Sequence, residues 1–589
     1  MHRRNLRSEI VATLIGCACA WLLAIGQGHA VAAVGLSDLT GPWQLFVDDN
    51  AVASKVGVTR TYHPFQKYAG NPVMVADKPW EGANIYIYGT VLPNESGPGY
   101  RMWYHSLNLS APSADRVHAN YATSLDGITW TKPELGIISY NGSKANNMFI
   151  VPGNCPCVMH TPWEAGIGRT YKLMRGGPWS VFSGAYSLDA LHWTEDSLAR
   201  CPVASDECTF AWDPHRQKYM GFPKVFATVN GLSRRATGVW STSNFDDWPS
   251  GTNLILAPDS WDDRWVLQGT GQNTQFYGMC GFAYESMYVG FLWVFRVTGQ
   301  VSGADDGPIF VEIVTSHDGI HWQRQEGDRP PILPLGPNGA WDDGMVFTAI
   351  QPLVEGDTLR LYYGGFNSTH ADEAAWHAAI GMATLRKDGF ASLDAGATTG
   401  TITTKRINGA GGPLHVNCSV AAGGSLKVEV LTGSGLVVSG YSAADCDVIE
   451  GDHVDHVVTW GANTTLPVGV NPIRLRFLMQ NASLYSFMPG ETAQLWAEAA
   501  TPTLAVLYDF EGETGQSAHD KLVTDGAQDP TFQGDVTIRT DPAFAAFGTH
   551  SAAFGYGTST PNMLTVPGTS NLGVNFTLAA MVNSATGEY

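Results

Sequence analysis

The 589 residues carry 54 acidic and 34 basic side chains, a formal net charge of −20 and an isoelectric point near 5.2. That balance excludes a nucleic-acid binder, which needs a basic face to neutralise phosphate. Charged residues make up only 15% while Gly (66), Trp (19) and Tyr (21) are abundant, which is the composition of turn-rich β-structure and not of disorder.

In chain order, Arg3, Arg4 and Arg7 precede an apolar run from Ile10 to Ile25 that ends in Gly28-His29-Ala30, the layout of an export signal over 1–30. The mature protein is expected to be secreted or periplasmic. Leu14-Ile15-Gly16-Cys17 has the look of a lipoprotein box, but the apolar run continues past Cys17, which disfavours a lipid anchor. No other stretch approaches the ~20 apolar residues of a membrane span. Once Cys17 and Cys19 leave with the signal, Cys155, Cys157, Cys201, Cys208, Cys280, Cys418 and Cys446 remain. Cys418 with Cys446 is the favoured disulfide outside the cytoplasm. Cys155-Pro156-Cys157 lacks Cys or His companions at zinc spacing, so no metal site is expected.

A repeat sets the architecture. Ser124-Leu125-Asp126-Gly127-Ile128-Thr129-Trp130 recurs from Ser187 to Trp193, from Ser316 to Trp322 and, degenerate, from Ser243 to Trp248; Asp388-Gly389-Phe390 keeps its final part. The closing aromatics lie 63, 55, 74 and 68 residues apart, one supersecondary unit each time. Each interval also holds an aromatic strand pattern, such as Tyr100-Arg101-Met102-Trp103-Tyr104 and Met287-Tyr288-Val289-Gly290-Phe291, between turn residues. With no helical period between them, the units predict an all-β chain: a five-bladed β-propeller over 40–395, with Asp-Gly turns between outer strands and Trp packed between blades. Period-two alternation over 396–490, as in Ile473-Arg474-Leu475-Arg476-Phe477, predicts a β-sandwich, and 491–503 reads as a linker.

Propeller chemistry belongs where the first strands of the blades converge on one axial pocket. Polar residues ahead of those strands are Glu81, Asn84 and Tyr88 in blade one, His160, Trp163 and Glu164 in blade two, Asp206 in blade three, Gln275 and Tyr277 in blade four, and Asp342 and Asp343 in blade five. Glycoside cleavage needs two carboxyls, one protonated for the leaving oxygen and one ionised to attack or to activate water, and their separation decides retention or inversion. Asp206, Asp343 and Glu81 are the catalytic candidates. Trp80, Tyr88, Gln275, Tyr277, Trp341 and Asp342 are the substrate-binding candidates; Trp80 and Trp341 sit on loops beside acids, whereas Trp212 and Trp293 lie inside strand patterns and read as core. Glu285 reads as an exposed hairpin tip.

The Ser-x-Asp-Gly-x-x-Trp turns resemble those of the propeller glycosidases of families 32, 43 and 68. Leu45-Phe46-Val47-Asp48-Asp49, Lys78-Pro79-Trp80-Glu81, Tyr88-Gly89-Thr90-Val91-Leu92 and Trp341-Asp342-Asp343-Gly344-Met345 are similar to exported bacterial family-32-like hydrolases, a resemblance that runs from Leu45 to Met488. It implies hydrolysis of a polysaccharide or oligosaccharide such as a furanoside, with no required cofactor. The segment Asp206-Glu207-Cys208-Thr209-Phe210 resembles the family-32 strand with an Arg-Asp-Pro signature, Asp206 standing at the aspartate and Ser205 and Glu207 replacing its neighbours. The family's Asn-Asp-Pro-Asn-Gly nucleophile motif and its Glu-Cys acid motif find no counterpart in this reading, and Asp48-Asp49 is placed on the strand that closes the ring. A non-catalytic carbohydrate-binding propeller is the rival reading. Finally, Leu507-Tyr508-Asp509-Phe510-Glu511-Gly512 and Phe576-Thr577-Leu578 look like parts of a laminin-G or concanavalin-like jelly roll over 504–589, truncated at Tyr589; such modules bind sugars, often with calcium.

Overall fold

The computed structural model describes residues 43–490, apart from 177–180, 203–206, 268, 326 and 409–411, together with the backbone of six short strands between 508 and 565. The chain divides into two compact units, Met1–Trp496 and Ala497–Tyr589. The described residues are almost entirely strand and turn, with three short 3-10 segments. No helix among them is long and apolar enough to cross a membrane.

The first unit contains five antiparallel meanders. Meander one is Ile85–Pro93, Tyr100–Leu107, Val117–Ser124 and Trp130–Thr131, with Met148–Ile150 also on its third strand. Meander two is Asn154–His160, Tyr171–Gly176, Val181–Ser187 and Thr194–Pro202. Meander three is Cys208–Asp213, Lys218–Val229, Leu232–Thr242 and Asn253–Leu256. Meander four is Asn273–Tyr284, Met287–Val297, Ile309–Ser316 and Trp322–Arg324. Meander five is Met345–Thr348, Thr358–Phe366 and Ala379–Arg386, and its last strand is Gln66–Lys67, drawn from ahead of meander one. A parallel bridge, Ile309 to Met345, joins the fourth to the fifth. First strands adjoin in sequence: Ile85–Pro93 meets Asn154–His160, which meets Cys208–Asp213, which meets Asn273–Tyr284, while Met345–Thr348 meets Ile85–Pro93.

The repeated motif explains the turns. The Ser124, Ser187 and Ser316 hydroxyls accept the N–H groups of Gly127, Ala190 and Gly319 at 2.8, 2.9 and 2.8 Å. In each turn the aspartate two residues after the serine accepts two further N–H groups; Asp126 takes those of Ile128 and Thr129 at 2.8 and 2.7 Å. The residue after the aspartate needs φ near +65°, which Gly127 and Gly319 reach without strain (+74° and +68°) and Ala190 adopts at +62°. The closing tryptophans face the preceding meander: Trp130 meets Tyr362 at 5.4 Å, Trp193 meets Phe149 at 6.3 Å and Trp322 meets Phe222 at 5.6 Å. Trp322 also covers Gly281 and Gly290, where a Cβ would approach its ring to 2.8 and 2.9 Å. The fifth copy differs: buried Asp388 accepts the Tyr284 and Ser486 hydroxyls at 2.7 and 2.6 Å.

The remaining sheet has eight strands and takes both ends of the described region. Val52–Val56, Gly400–Thr404, Ile473–Pro489, Ala391–Ala395 and Val58–Tyr62 run side by side, Gln44–Leu45 adds to Ile473–Pro489, and the long strand Leu414–Thr432 pairs with Gly451–Val458 and Ile473–Pro489. Ile473, Leu475, Phe477 and Met479 turn inward in strict alternation. The expected Cys418–Cys446 disulfide is corrected, since both are buried thiols that are not joined to each other. The Cys446 sulfur accepts the Val428 N–H at 3.2 Å, ten positions along the strand from Cys418, a distance of roughly 20 Å or more that no disulfide spans. Two placements near the N-terminal edge also change. Asp48 and Asp49 lie in the turn after Gln44–Leu45, bound to His317 and to Lys55 and Arg60, so the strand that completes meander five is Gln66–Lys67 instead. Glu285 is half-buried, because the N-terminal segment covers it and the Trp43 N–H donates to its Oε2 at 3.3 Å.

In the second unit the described backbone pairs Tyr508–Asp509 with His519–Asp520, Thr531–Gln533 with Met563–Thr565, and Val536–Arg539 with Ser551–Phe554. The export signal 1–30, the linker 491–503 and the side chains of the jelly-roll expectation, with its calcium, lie outside the described residues.

Candidate active site

Glu207 immediately precedes the first strand of meander three and is 2% exposed. Its carboxylate lies against the backbone of the neighbouring strand at Gly278, where a Cβ would stand 2.2 Å from Oε2. A register shift between Phe276 and Gly278 makes Tyr277 an extra residue on that strand. Bulges of this kind re-aim a side chain. The Tyr277 ring has the Lys224 ammonium 4.4 Å from its centroid, Phe347 at 5.4 Å and His370 at 5.2 Å.

A second irregularity, between Tyr86 and Thr90, lies in the first strand of meander one. Gly89 is pressed between the Trp103 and Pro156 carbonyls, with room for no side chain at 2.2 and 2.8 Å. Beside it, Tyr88 stacks on Trp293 at 4.9 Å and meets Phe347 edge-on at 5.0 Å, so Tyr88 and Tyr277 share one aromatic neighbour. Burial pushes the Tyr88 phenol well above its ordinary range, and Tyr277, Tyr86, Cys155 and Glu207 push it the same way. Behind Tyr86 and Tyr88 lies His105, its ring 3.8 and 5.0 Å from theirs; burial drives its pKa down to about 3, which keeps the imidazole neutral.

Gln275 extends this group from the start of the same strand as Tyr277. It accepts a hydrogen bond from Arg235 at 2.5 Å and donates to Asp305 at 2.9 Å, and Arg235 pairs with Asp305 at 3.0 Å. Burial alone would raise the Asp305 carboxyl, but hydrogen bonds from Gln275, Gln300 and Arg235 outweigh it and hold the group below its usual range. Tyr88, Gln275 and Tyr277 are thus brought together with Glu207, Lys224, Arg235 and His370.

The other sequence candidates sit elsewhere in bonded networks. Glu81 is fully buried and accepts four donors: the Asp77 and Lys78 N–H groups at 2.9 and 3.1 Å, the Tyr104 hydroxyl at 2.7 Å and the Lys132 ammonium at 2.7 Å. Trp80 donates its indole N–H to Asn147 at 3.0 Å beside that network. Asp342 is paired with Lys67 at 2.6 Å and accepts the Tyr363 hydroxyl at 2.9 Å; Trp341 stacks on Tyr363 at 5.6 Å and fills the space over Gly365 and Gly381. Asp343, half-buried at the entrance to the first strand of meander five, accepts the Gly339 N–H at 2.6 Å. Asp206 lies outside the described residues.

Glu207 is a candidate that sequence reasoning did not single out. The signal was present, since Glu207-Cys208 is itself a Glu-Cys pair. Lys224, Arg235 and His370 carried no sequence signal, because only the pairing of distant strands brings them to the site.

No family model matches the chain. Two curated relatives from Mycobacterium tuberculosis match part of it: an uncharacterized protein of strain CDC 1551, 28% identical over 160 residues, and one of strain H37Rv, 26% identical over 159. In both cases the match covers 27% of this chain and 46% of the relative, so the chain spans about half the length of the curated proteins it resembles. Among solved structures, it is similar to an N-acetylgalactosamine deacetylase from F. plautii in complex with blood group B trisaccharide (16% identity, 57% of this chain and 97% of the other, TM-score 0.37). It is also similar to a beta-1,2-mannobiose phosphorylase from Listeria innocua (11%, 55% and 98%, TM-score 0.38) and to a family 117 glycoside hydrolase from Zobellia galactanivorans (13%, 56% and 90%, TM-score 0.32).

Proposed function

We propose that the five meanders close into a five-bladed β-propeller and that the group around Glu207 is the active site of an exported carbohydrate-active enzyme, a glycoside hydrolase acting on a polysaccharide or oligosaccharide. The single observation that carries the reading is the placement of Glu207, a buried carboxyl at the start of a first strand, against Gly278 of the next meander and near Tyr88 of another. A carboxyl in such a place can deliver a proton to a leaving glycosidic oxygen. Tyr88 and Tyr277 supply aromatic walls for a sugar ring, Lys224 and His370 supply donors for its hydroxyls, and Gln275 holds Arg235 and Asp305 in place beside them. Asp343, with one of its oxygens held by a backbone N–H, is assigned the second carboxyl, as base or nucleophile; Asp206 is the alternative for that role. Glu81, tied to four donors, is assigned to holding the loop 77–81 and not to chemistry.

The rival reading, a non-catalytic carbohydrate-binding propeller, is favoured by one observation: Glu81 and Asp342 are both occupied by lysines and are unsuited to proton transfer. Glu207→Gln decides between them. Release of reducing sugar from a panel of arabinan, fructan and sulfated glycans is expected to fall by about 10²–10⁴ in this variant while glycan binding survives. Unchanged release would refute the assignment of Glu207. A folded wild-type protein that binds a glycan and releases no sugar would favour the rival.

A further inference from the structure

We infer that the exposed Trp163 platform is a second saccharide-binding site, separate from the group around Glu207. Trp163 sits on the 3-10 turn Pro162–Ile167, after the first strand of meander two, and is 55% exposed. It is not a loose side chain. Its ring lies 4.7 Å from Trp212 at a tilt of 40°, and Trp212 in turn lies 4.7 Å from Tyr219, so the outer indole is backed by two further rings. The neighbouring Glu164 is fixed as well: its Oε1 accepts the Tyr219 hydroxyl at 2.8 Å and the Lys172 ammonium at 2.5 Å. Both contacts use the same oxygen and the side chain is partly exposed, which leaves Oε2 as an acceptor beside the indole.

The other exposed tryptophan among the described residues, Trp261 at 42%, is covered by the Arg264 guanidinium 4.2 Å from its ring. A rigid indole with an open face and a carboxylate at its edge matches the two surfaces of a pyranose, apolar C–H groups on one side and hydroxyls at the rim. The platform is distant from Glu207. Trp212 lies five positions along the strand from Glu207, roughly 17 Å at 3.3 Å per residue, and Trp163 lies at the corresponding far end of the adjacent strand. It would therefore hold a part of a glycan chain other than the bond being cleaved.

This inference takes only its choice of ligand class from the proposed function, so the two can fail separately. The test is affinity electrophoresis of the full chain in native gels cast with arabinan, inulin, laminarin or mannan, comparing wild type, Trp163→Ala, Trp163→Tyr and Glu207→Gln. At least one polysaccharide should retard wild type and Glu207→Gln equally, Trp163→Tyr should keep most of the retardation, and Trp163→Ala should bind about tenfold more weakly or worse. Trp163 is largely exposed, so its replacement should leave folding and the cleavage of short soluble oligosaccharides intact. Equal retardation of Trp163→Ala and wild type, or no retardation in any gel, overturns the platform. So does a Trp163-dependent dimer in size-exclusion chromatography, which would make a second copy the occupant. Trp163-dependent binding with no cleavage by wild type sinks the enzymatic reading and leaves the platform standing.

Discussion

Gly278→Ala tests the site through a residue that has no chemistry of its own. A methyl group there would stand 2.2 Å from Glu207 Oε2, 2.5 Å from its Cδ and 2.7 Å from its Oε1, and all three separations are too short for carbon against oxygen or carbon. Reaching ordinary van der Waals contact requires the carboxylate to retreat by about 1 Å if the strand, which is paired along its length with Met287–Val297, holds its place. A misplacement of about 1 Å in a reacting group costs on the order of 10²-fold in rate, about 2.7 kcal/mol of transition-state stabilisation. The alternative is that the strand gives way, which appears as overpacking and about 1–3 kcal/mol of lost stability. The assay is kcat/KM for sugar release alongside thermal melting, with Glu207→Gln as the floor. In the double variant Gly278→Ala with Glu207→Gln, the alanine should add nothing to the catalytic defect, since its effect runs through that carboxylate. Full activity within about threefold in folded Gly278→Ala, while Glu207→Gln is inactive, would refute the idea that Glu207 reacts from this position.

Two further outcomes follow from buried charge. Lys132→Met should leave the Glu81 carboxylate buried without its cation, and breaking such a pair costs about 3–5 kcal/mol, so thermal melting should fall clearly; Glu81→Gln, by contrast, should leave cleavage by the folded protein within a few-fold of wild type, and a catalytic collapse there would return Glu81 to the chemistry. Glu285 gives a pH signature: burial first, and then the neighbouring Asp388, raise its carboxyl from 4.5 to about 7. The folded state therefore prefers the protonated form, so this group's contribution to stability is complete below about pH 4.5 and declines as pH rises to about 7, by at most about 3 kcal/mol. Melting temperature measured from pH 4.5 to 8 should show a shallower decline in Glu285→Gln, and an identical profile in the two proteins would contradict the burial of this carboxyl.

What the sequence revealed follows the range of the interactions involved. The Ser-x-Asp turns were legible because every hydrogen bond in them spans two or three residues, as for Ser124, Asp126 and Gly127. The order of strands within each meander follows from those turns. The completion of meander five by Gln66–Lys67 and the recruitment of Gln44–Leu45, Val52–Val56 and Val58–Tyr62 into the eight-stranded sheet were not legible, since such short edge strands pair with partners hundreds of residues away. At the site, Tyr88, Gln275 and Tyr277 could be found from their positions near strand starts. The two bulges that aim Tyr88 and Tyr277 could not, because each depends on a glycine pressed against another meander, Gly89 against Pro156 and Gly278 against Glu207.

The same distinction sorts the acids. Glu81, a catalytic candidate, and Asp342, a substrate-binding one, were picked for their positions ahead of first strands, yet each has a lysine within 2.7 Å, from residues 51 and 275 positions away in the chain. An ammonium at that distance stabilises the ionised carboxylate and competes with a substrate oxygen for its lone pairs, which suits an anchor and disqualifies a proton donor. Glu207 stands beside buried phenol and thiol groups. The groups whose ionisation its charge opposes are the Tyr88 phenol and the Cys157, Cys208 and Cys280 thiols, all of them first desolvated by burial. These neighbours stay neutral around it, so a proton lost by Glu207 is not recaptured by an adjacent phenolate or thiolate. The buried place of Glu207 at the start of a first strand, against Gly278 and near Tyr88, is the physical ground for assigning it the acid's role.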